Sequence, residues 1–290
     1  MPPSREEGAV REIVIRPFQS IADYRGCEFL QQAVWRFPDR EVVPLNELMG
    51  VARSHGLLLG AFLGRKMVGF VFGIHGVRPK GDRHPGGRIF HVSRMLAVHP
   101  RYQRSGVGFH LKCAQRRWCL DQGFTHATWT FDPLQTGNAN LNIARLGAVS
   151  DTYLVNVYGR SESELNRGMD TDRLQVDWEM GSARVLRRVL GRPDTARYPD
   201  VRFANECGLD RRGLLVPVRG RVDPCHPRAA VEIPPRIVSL MQQDLPLARR
   251  WRRHVRTLLQ GHFARGYRIV DFVCTPRDGR EALAYVLAHR

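Results

Sequence analysis

Residues 95–117, MLAVHPRYQRSGVGFHLKCAQRR, constrain this chain more than any other stretch. An apolar run ends at a proline, two arginines and a Ser-Gly-Val-Gly segment follow, and an amphipathic pattern then takes over. This is a strand feeding through a glycine-bearing loop into a helix, so the fold must contain a β-to-α connection near its middle. A helix N-terminus leaves its first amides without intrahelical partners and carries about half a positive charge, which makes it an anion site. In Gln103, Arg104, Ser105, Gly106, Val107 and Gly108 the small residues recur at alternate positions, so the loop can bend its N–H groups into a nest, and Arg104 adds charge. The segment therefore reads as a pyrophosphate cradle, or as a strand-to-helix turn that needs glycine only for packing. It is not the dinucleotide fingerprint, which has an earlier glycine, and not a Walker loop, because no Gly-Lys-Ser/Thr follows.

The surrounding pattern is mixed. Residues 11–18 alternate like a half-buried strand with Pro17 near its end. Ser20 is an N-cap candidate for a helix carrying Ile21, Tyr24, Phe29, Leu30 and Val34. A second helix starts at Pro44 and stops at Gly56. Strands 57–63 and 66–77 are split by Gly64-Arg65, a tight hairpin, and a turn-rich loop at 81–88 leads to strand 89–98. After the helix come strand 125–132, a short helix at 138–147 ended by Gly147, strand 149–159 and strand 172–180. The expected fold class is α/β (α+β), a mixed sheet flanked by helices in which only the middle is parallel.

Past residue 180 the texture changes to a basic, turn-rich stretch, read as a helix and then a linker. The expected domains are 1–181 and a smaller α/β unit at 182–290. In the latter, strands at 213–218, 229–234 and 267–274 flank a helical stretch at 235–263 that breaks near Pro246. Trp251, Val255, Leu258, Leu259 and Phe263 form its apolar stripe, and Arg249, Arg250, Arg252, Arg253 and Arg256 are expected to form a solvated face.

A net charge of +17 suggests phosphate-bearing partners, but only three of the 45 basic residues are lysines (Lys66, Lys80, Lys112) and the arginines run along the whole chain. A diffuse arginine bias disfavours a nucleic-acid face and suits an anionic small molecule better. No run approaches the roughly 18 apolar residues of a membrane span, and the first residues lack the apolar core of a signal peptide, so a cytoplasmic protein is expected. Cys27, Cys113, Cys119, Cys207, Cys225 and Cys274 are scattered without metal or disulfide spacing, and are read as buried reduced thiols.

With MLAVHPRY ahead of it, QRSGVG resembles the Gln/Arg-x-x-Gly-x-Gly/Ala loop of the GNAT superfamily of acyl-CoA N-acyltransferases. The resemblance follows the element order from about residue 13 to 180. The stretches TWTFDPLQTGNANLNIARLGAVSDTYLVNVYG and LNRGMDTDRLQVDWEM, with the tail VEIPP, DLPLARRWR and GYRIVDFV, are similar to a bacterial subgroup of predicted acetyltransferases with a C-terminal extension. It implies a GNAT-like splayed sheet, with strands 89–98 and 125–132 parallel and parting to admit acetyl-CoA or another acyl-CoA, and no metal. Backbone groups of Leu96, Ala97 and Val98 would pair with pantetheine, one N–H near Leu96 or Ala97 would polarise the thioester carbonyl, and the amides from Gln103 to Gly108 would hold pyrophosphate. Asn138 or Asn142 would touch CoA.

The family often carries a tyrosine four residues before the glycine that ends the short helix. Here that position is Ile143, so protonation of the leaving thiolate would pass to Tyr153, Tyr158 or water. An alkylamine, with a pKa of about 10, needs a base or a water relay before it can attack. His91 and Asp132 are the candidates, each equally readable as structural: a strand histidine and an Asp-Pro turn former. Arg94, Trp129 and Asn156 are the acceptor-side candidates. The implied activity is transfer of an acetyl or succinyl group to a small amine such as an amino acid, by direct attack in a ternary complex, with pairing into a homodimer left open. The alternative is a catalytically silent acyl-CoA-binding module whose C-terminal unit meets a partner.

Overall fold

Ser20 shows how local chemistry sets the first helix. In the computed structural model, which describes residues 13–82, 84, 86–159, 168–191, 198 and 201–289, its side chain accepts from Asp23 N while Asp23 answers the Ser20 backbone N–H. This reciprocal capping satisfies two otherwise orphaned donors. Sequence motif residues 165–167 and linker residues 192–197 lie outside the described residues.

The chain divides into two compact units: Met1–Gly76 with His91–Gly123, and Val77–Phe90 with Phe124–Arg290. In the first, strand β1 (Ile13–Pro17) is followed by helices α1 (Ile21–Trp35) and α2 (Leu45–Arg53). Strands β2 (Leu57–Leu63), β3 (Lys66–Val77) and β4 (Ile89–Val98) and helix α3 (Val107–Asp121) complete it. Neighbours run β1-β2-β3-β4, with β1 and β3 both antiparallel to β2. Gly64, with φ at 61°, closes the two-residue hairpin between Leu63 and Lys66, as its spacing predicts.

Strand β2 is buried on both faces because alternate residues serve two cores. Leu58 and Phe62 pack with Cys27 and Leu30 of α1 and Leu48 of α2. Leu57, Leu59 and Ala61 pack with Val107 and Leu111 of α3. Burying the α3 side chains anchors the helix whose N-terminus the loop meets.

In the second unit, strands β5 (His126–Phe131), β6 (Val149–Leu154) and β7 (Arg173–Glu179) are joined by helix α4 (Thr136–Ala139), which runs into a π turn at Asn140–Arg145. Helix α5 (Ala183–Val189) and strands β8 (Arg202–Phe203), β9 (Asn205–Leu209), β10 (Leu215–Gly220) and β11 (Arg228–Ile233) follow. Helices α6 (Ile237–Gln243) and α7 (Leu245–Phe263) precede strands β12 (Tyr267–Arg277) and β13 (Arg280–His289). The strand order β5-β7-β6-β12-β13-β11-β8 is antiparallel except for β11 with β8. Strands β9 and β10 form a separate pair. Strands β5 and β7 therefore share one unit with elements from the C-terminal extension.

Several expectations change in detail. The strand expected at 149–159 ends at Leu154, because Asn156 takes a left-handed φ of 48° and its side chain accepts from Thr171 to close a turn. The helical stretch at 235–263 does break near Pro246, at Asp244, which leaves helical geometry and whose side chain caps α7 by accepting from Leu247 N at 2.9 Å. All six cysteines are free, but Cys225 and Cys274 are exposed, so the reading of uniformly buried thiols fails there. No helix among the described residues is long and apolar enough to cross a membrane.

Candidate functional site

The glycine loop in the first unit is built from backbone. After β4, a single 3-10 turn at Pro100–Tyr102 leads to Gln103, and the following residues alternate in hand: Arg104 has φ at 65° and Gly106 at 91°. Such alternation curls successive N–H groups to one side. Gly106 is the N-cap of α3 and supplies no side chain, so the first-turn amides of this 15-residue helix rely on partners outside the helix. A Cβ on Gly106 would meet nothing nearer than His110 at 3.7 Å, so its positive φ, and not crowding, calls for glycine. The loop is braced from within: Gln103 Nε2 donates to the Val98 carbonyl at 3.1 Å, and Ser105 Oγ donates to the Tyr102 carbonyl at 2.7 Å. Gln103, Arg104 and Ser105 are exposed, whereas Val107 and Ala97 are buried. Leu96, Val98 and Gly108 are half-buried, and Arg94 on β4 is exposed.

His91, in the same unit, is fully buried. Its Nε2 lies 2.9 Å from Gln115 Nε2, which donates to it, and Ser93 links the same Gln115 to the buried Lys112. Burial, then Lys112 and His75, push the His91 imidazole down to about 3. It is thus neutral and packed, as the structural alternative for a strand histidine describes. Lys112, buried against Ser93, is pushed down by burial to about 7.

In the second unit, Asp132 directly follows β5 and meets α7. Arg252 donates from both terminal nitrogens to its two oxygens at 2.6 Å, and Leu134 N donates at 2.8 Å. Burial raises the Asp132 carboxyl, but the Arg252 charge and hydrogen bonds overcome it and hold it below the usual carboxylate value. Asp132 is therefore both the Asp-Pro turn former and half of a buried ion pair. The expectation that the arginines of α7 form a solvated face is corrected here: Arg252 is 2% exposed. Arg256 likewise turns inward to Asp172, donating from Nε at 2.8 Å, and also bonds Asp170.

Tyr153 belongs to the same cluster. Its hydroxyl donates to Asp172 Oδ2 at 2.7 Å, and burial followed by the Asp172 charge raises it well above its ordinary value, so it stays a phenol. Asp172, fully buried, also accepts from Asn156 N at 3.0 Å. The structure thus gathers Asp132, Tyr153, Arg252, Asp172 and Arg256 into one network. Of these, Arg252, Arg256 and Asp172 escape sequence reasoning. Trp129 is 8% exposed and packs edge-to-face on Trp178 at 5.5 Å. Asn142 is buried in the π turn, Asn138 is exposed on α4, and Ile143 is a core residue. Arginine is used structurally elsewhere too: Arg188 holds Asp271 at 2.8 Å, and Arg277 and Arg280 hold Glu232.

Among the described residues, His84, His126 and Asp177 bring three metal-capable atoms within 4.8 Å of one another, a set the sequence does not signal. His126 is already engaged on both sides, by Arg78 at 2.8 Å on Nδ1 and by Asp177 at 3.1 Å on Nε2. A guanidinium donating to Nδ1 leaves the ring proton on Nε2, directed at Asp177, and opposes a cation there.

No family model matches the chain, and no curated protein matches it. Among solved structures, it is similar to the ribosomal-protein-S18-alanine N-acetyltransferase of Escherichia coli. The identity is 16%, the match covers 59% of this chain and 96% of that one, and the TM-score is 0.45. A GNAT-family acetyltransferase of Streptococcus pneumoniae matches at 17% identity over 57% of this chain and 98% of its own, with a TM-score of 0.45. The PaiA N-acetyltransferase of Thermoplasma acidophilum, solved with coenzyme A, matches at 17% identity over 58% and 99%, with a TM-score of 0.43. Over rather more than half its length, the chain is similar to solved N-acetyltransferases, GNAT-family enzymes among them.

Proposed function

We propose that this chain is an acyl-CoA-dependent N-acyltransferase that moves an acetyl or succinyl group to a small amine, with an amino acid as the acceptor class. The observation that carries the reading is the loop from Gln103 to Gly108, where left-handed Arg104 and Gly106 precede a long helix. Its amides would hold the pyrophosphate, with Arg104 adding charge. Backbone groups of Leu96, Ala97 and Val98 would hold pantetheine, and an N–H there would stabilise the oxyanion. Asn138, exposed beside the start of the π turn, is favoured over the buried Asn142 for CoA.

In the reaction the amine nitrogen attacks the thioester carbon, the C–S bond breaks, and the thiolate takes a proton. The side-chain chemistry narrows the roles. His91 is held neutral at about 3 with its Nε2 already accepting from Gln115, and Asp132 is ion-paired, so deprotonating the ammonium falls to water. Tyr153, kept protonated and oriented by Asp172, is the proton donor retained for the leaving thiolate. Exposed Arg94 suits an acceptor carboxylate better than the packed Trp129 or the turn-forming Asn156. Residues 182–290 would form a C-terminal extension whose Arg252 and Arg256 hold Asp132 and Asp172 in place. A cytoplasmic protein working alone or as a homodimer is consistent with this reading.

One observation favours the silent-module alternative. His91, Asp132 and Tyr153 are each already committed to a protein partner, and Ile143 fills the tyrosine position of the family from within the core. Thiol release from acetyl-CoA and succinyl-CoA, measured with a panel of amino acids, a polyamine and a short peptide, decides between the two. Amine-dependent release supports the enzyme. Saturable acyl-CoA binding without amine-dependent release supports the silent module and refutes the transferase.

A further inference from the structure

Helix α7 turns a second face outward, away from Asp132 and Asp172. Arg253 and His254 lie three and four residues after Arg250, and Thr257 lies four and three after them, so the four line up on one side of the helix. With Leu258 and Gly220 of β10 they line an open depression of about 290 Å³ in which Arg250, Arg253 and Thr257 are exposed, close in volume to the smallest ordinary ligand sites, which begin at roughly 300 Å³.

The arginines of this helix fall into two groups. Arg252 and Arg256 are spent on buried carboxylates, and Arg249 donates to the Gly168 carbonyl at 2.7 Å. Arg250 and Arg253 have no carboxylate within ion-pairing distance among the described residues, although both line the cavity. Arg250 is steadied by donating to the Pro217 carbonyl, which leaves its other N–H groups free to orient. Trp251 Nε1 donates to the Leu215 carbonyl at 2.9 Å and ties the same turn of α7 to β10. His254 Nε2 is buried with no hydrogen-bond partner in the protein. Buried polar atoms are rarely left so, because desolvation without a partner is costly.

Gly220 keeps the wall open. A Cβ there would lie 2.9 Å from His254 Cε1 and 3.0 Å from Leu258 Cδ2, filling the space between strand and helix. Two guanidinium groups and an imidazole thus converge without a carboxylate among them. A ligand that answers this set carries negative charge and several acceptor oxygens on a small body. A phosphate monoester meets all three requirements: guanidinium forks match its oxygens pairwise, and it is charged at neutral pH.

We infer that Arg250, Arg253 and His254, facing Gly220 across this cavity, form a binding site for the phosphate of a small phosphorylated molecule, separate from the loop at residues 103–108. The site does not depend on the acyl-transfer reading, and the test keeps the two apart. Phenyl phosphate is titrated calorimetrically into the full chain at constant ionic strength, with acetate and chloride as controls. Arg253→Glu changes an exposed residue and preserves the fold, Gly220→Ala fills the cavity without a new charge, and Gly106→Glu disables the other anion site. Saturable phenyl phosphate binding that Arg253→Glu and Gly220→Ala each weaken at least tenfold, and that Gly106→Glu retains, supports the site. Comparing CoA with dephospho-CoA then identifies the source. If Arg253→Glu weakens only CoA, the phosphate is the 3′-phosphate of CoA; if it weakens neither, the ligand is a separate molecule. Binding that matches acetate and chloride, survives Arg253→Glu, or disappears with Gly106→Glu overturns the proposal.

Discussion

Replacing Arg252 with methionine tests whether the Asp132 pair is as dry as its geometry states. The variant keeps the apolar stem but deletes two charge-assisted hydrogen bonds of 2.6 Å, leaving Asp132 with the Leu134 N–H at 2.8 Å. The two side chains are 3% and 10% exposed, so water cannot replace the guanidinium without reorganisation. Breaking a buried pair from one side costs about 3–5 kcal/mol, or roughly 6–20 °C in melting temperature at 2–4 °C per kcal/mol. Removing both charges together, as Asp132→Asn with Arg252→Met, should cost much less, because no uncompensated ion remains and the Leu134 bond survives.

The effect has a pH signature. In the native chain Asp132 lies below its ordinary 3.8, so its contribution is present above about pH 4 and is lost as pH falls through the folded value. In the single variant burial outweighs the remaining favourable groups and raises the carboxyl. Its penalty is then full at neutral pH and is relieved as acid protonates it. The melting-temperature gap between native and variant chains, followed by tryptophan fluorescence, should therefore narrow from pH 7 to pH 4. A gap below about 2 °C at pH 7, or one that does not change with pH, would refute a desolvated ion pair.

Three further outcomes follow from the same geometry. Lys112→Met should raise stability at pH 7: folding lowers this lysine from 10.5 to about 7, so the native chain gains stability as pH rises between those values while the variant does not, and the difference in melting temperature should shrink toward pH 10. Gly73→Ala would set a Cβ 2.3 Å from His91 Nε2 and 2.7 Å from the Val92 carbonyl, so it should destabilise by about 1–3 kcal/mol in denaturant unfolding. Tyr153→Phe removes one of the donors to Asp172 while Arg256 and Asn156 remain; it should cost about 1 kcal/mol in stability and, if this phenol serves the leaving group, about 10²-fold or more in kcat/KM.

Local chemistry made much of the fold legible. Strands 57–63, 66–77 and 89–98 agree residue for residue, because Gly64-Arg65 and flanking turn residues punctuate the apolar runs. Ser20 marks the start of α1 by side-chain capping, and Pro44 and Gly106 mark those of α2 and α3 by backbone preference, all of which depends only on neighbours. Strand β13 escapes the reading although its signal is present: Asp278-Gly279, with φ at 50° and 74°, is the hairpin turn that pairs Arg277 with Arg280. The buried arginines are different in kind. Arg252 lies at the edge of the apolar stripe, three and seven residues before Val255 and Leu259, while its solvated neighbour Arg253 lies off it; what the stripe does not reveal is the partner, Asp132, 120 residues earlier in the chain. Hydrophobic periodicity records which face of a helix is apolar and carries no information about a distant carboxylate. Tyr153 and Asp132 were legible as candidates, but their commitment to Asp172 and Arg252 is a property of the tertiary fold alone.

The central claim, that residues 103–108 hold the pyrophosphate of an acyl-CoA, is tested most directly by calorimetric titration of acetyl-CoA into the native chain and into Gly106→Glu. The variant forces a side chain onto a φ of 91° and adds a negative charge at the helix N-terminus. The account predicts saturable binding to the native chain and at least a tenfold loss in the variant, with both proteins folded. No binding to the native chain, or equal affinity for the two, would contradict it.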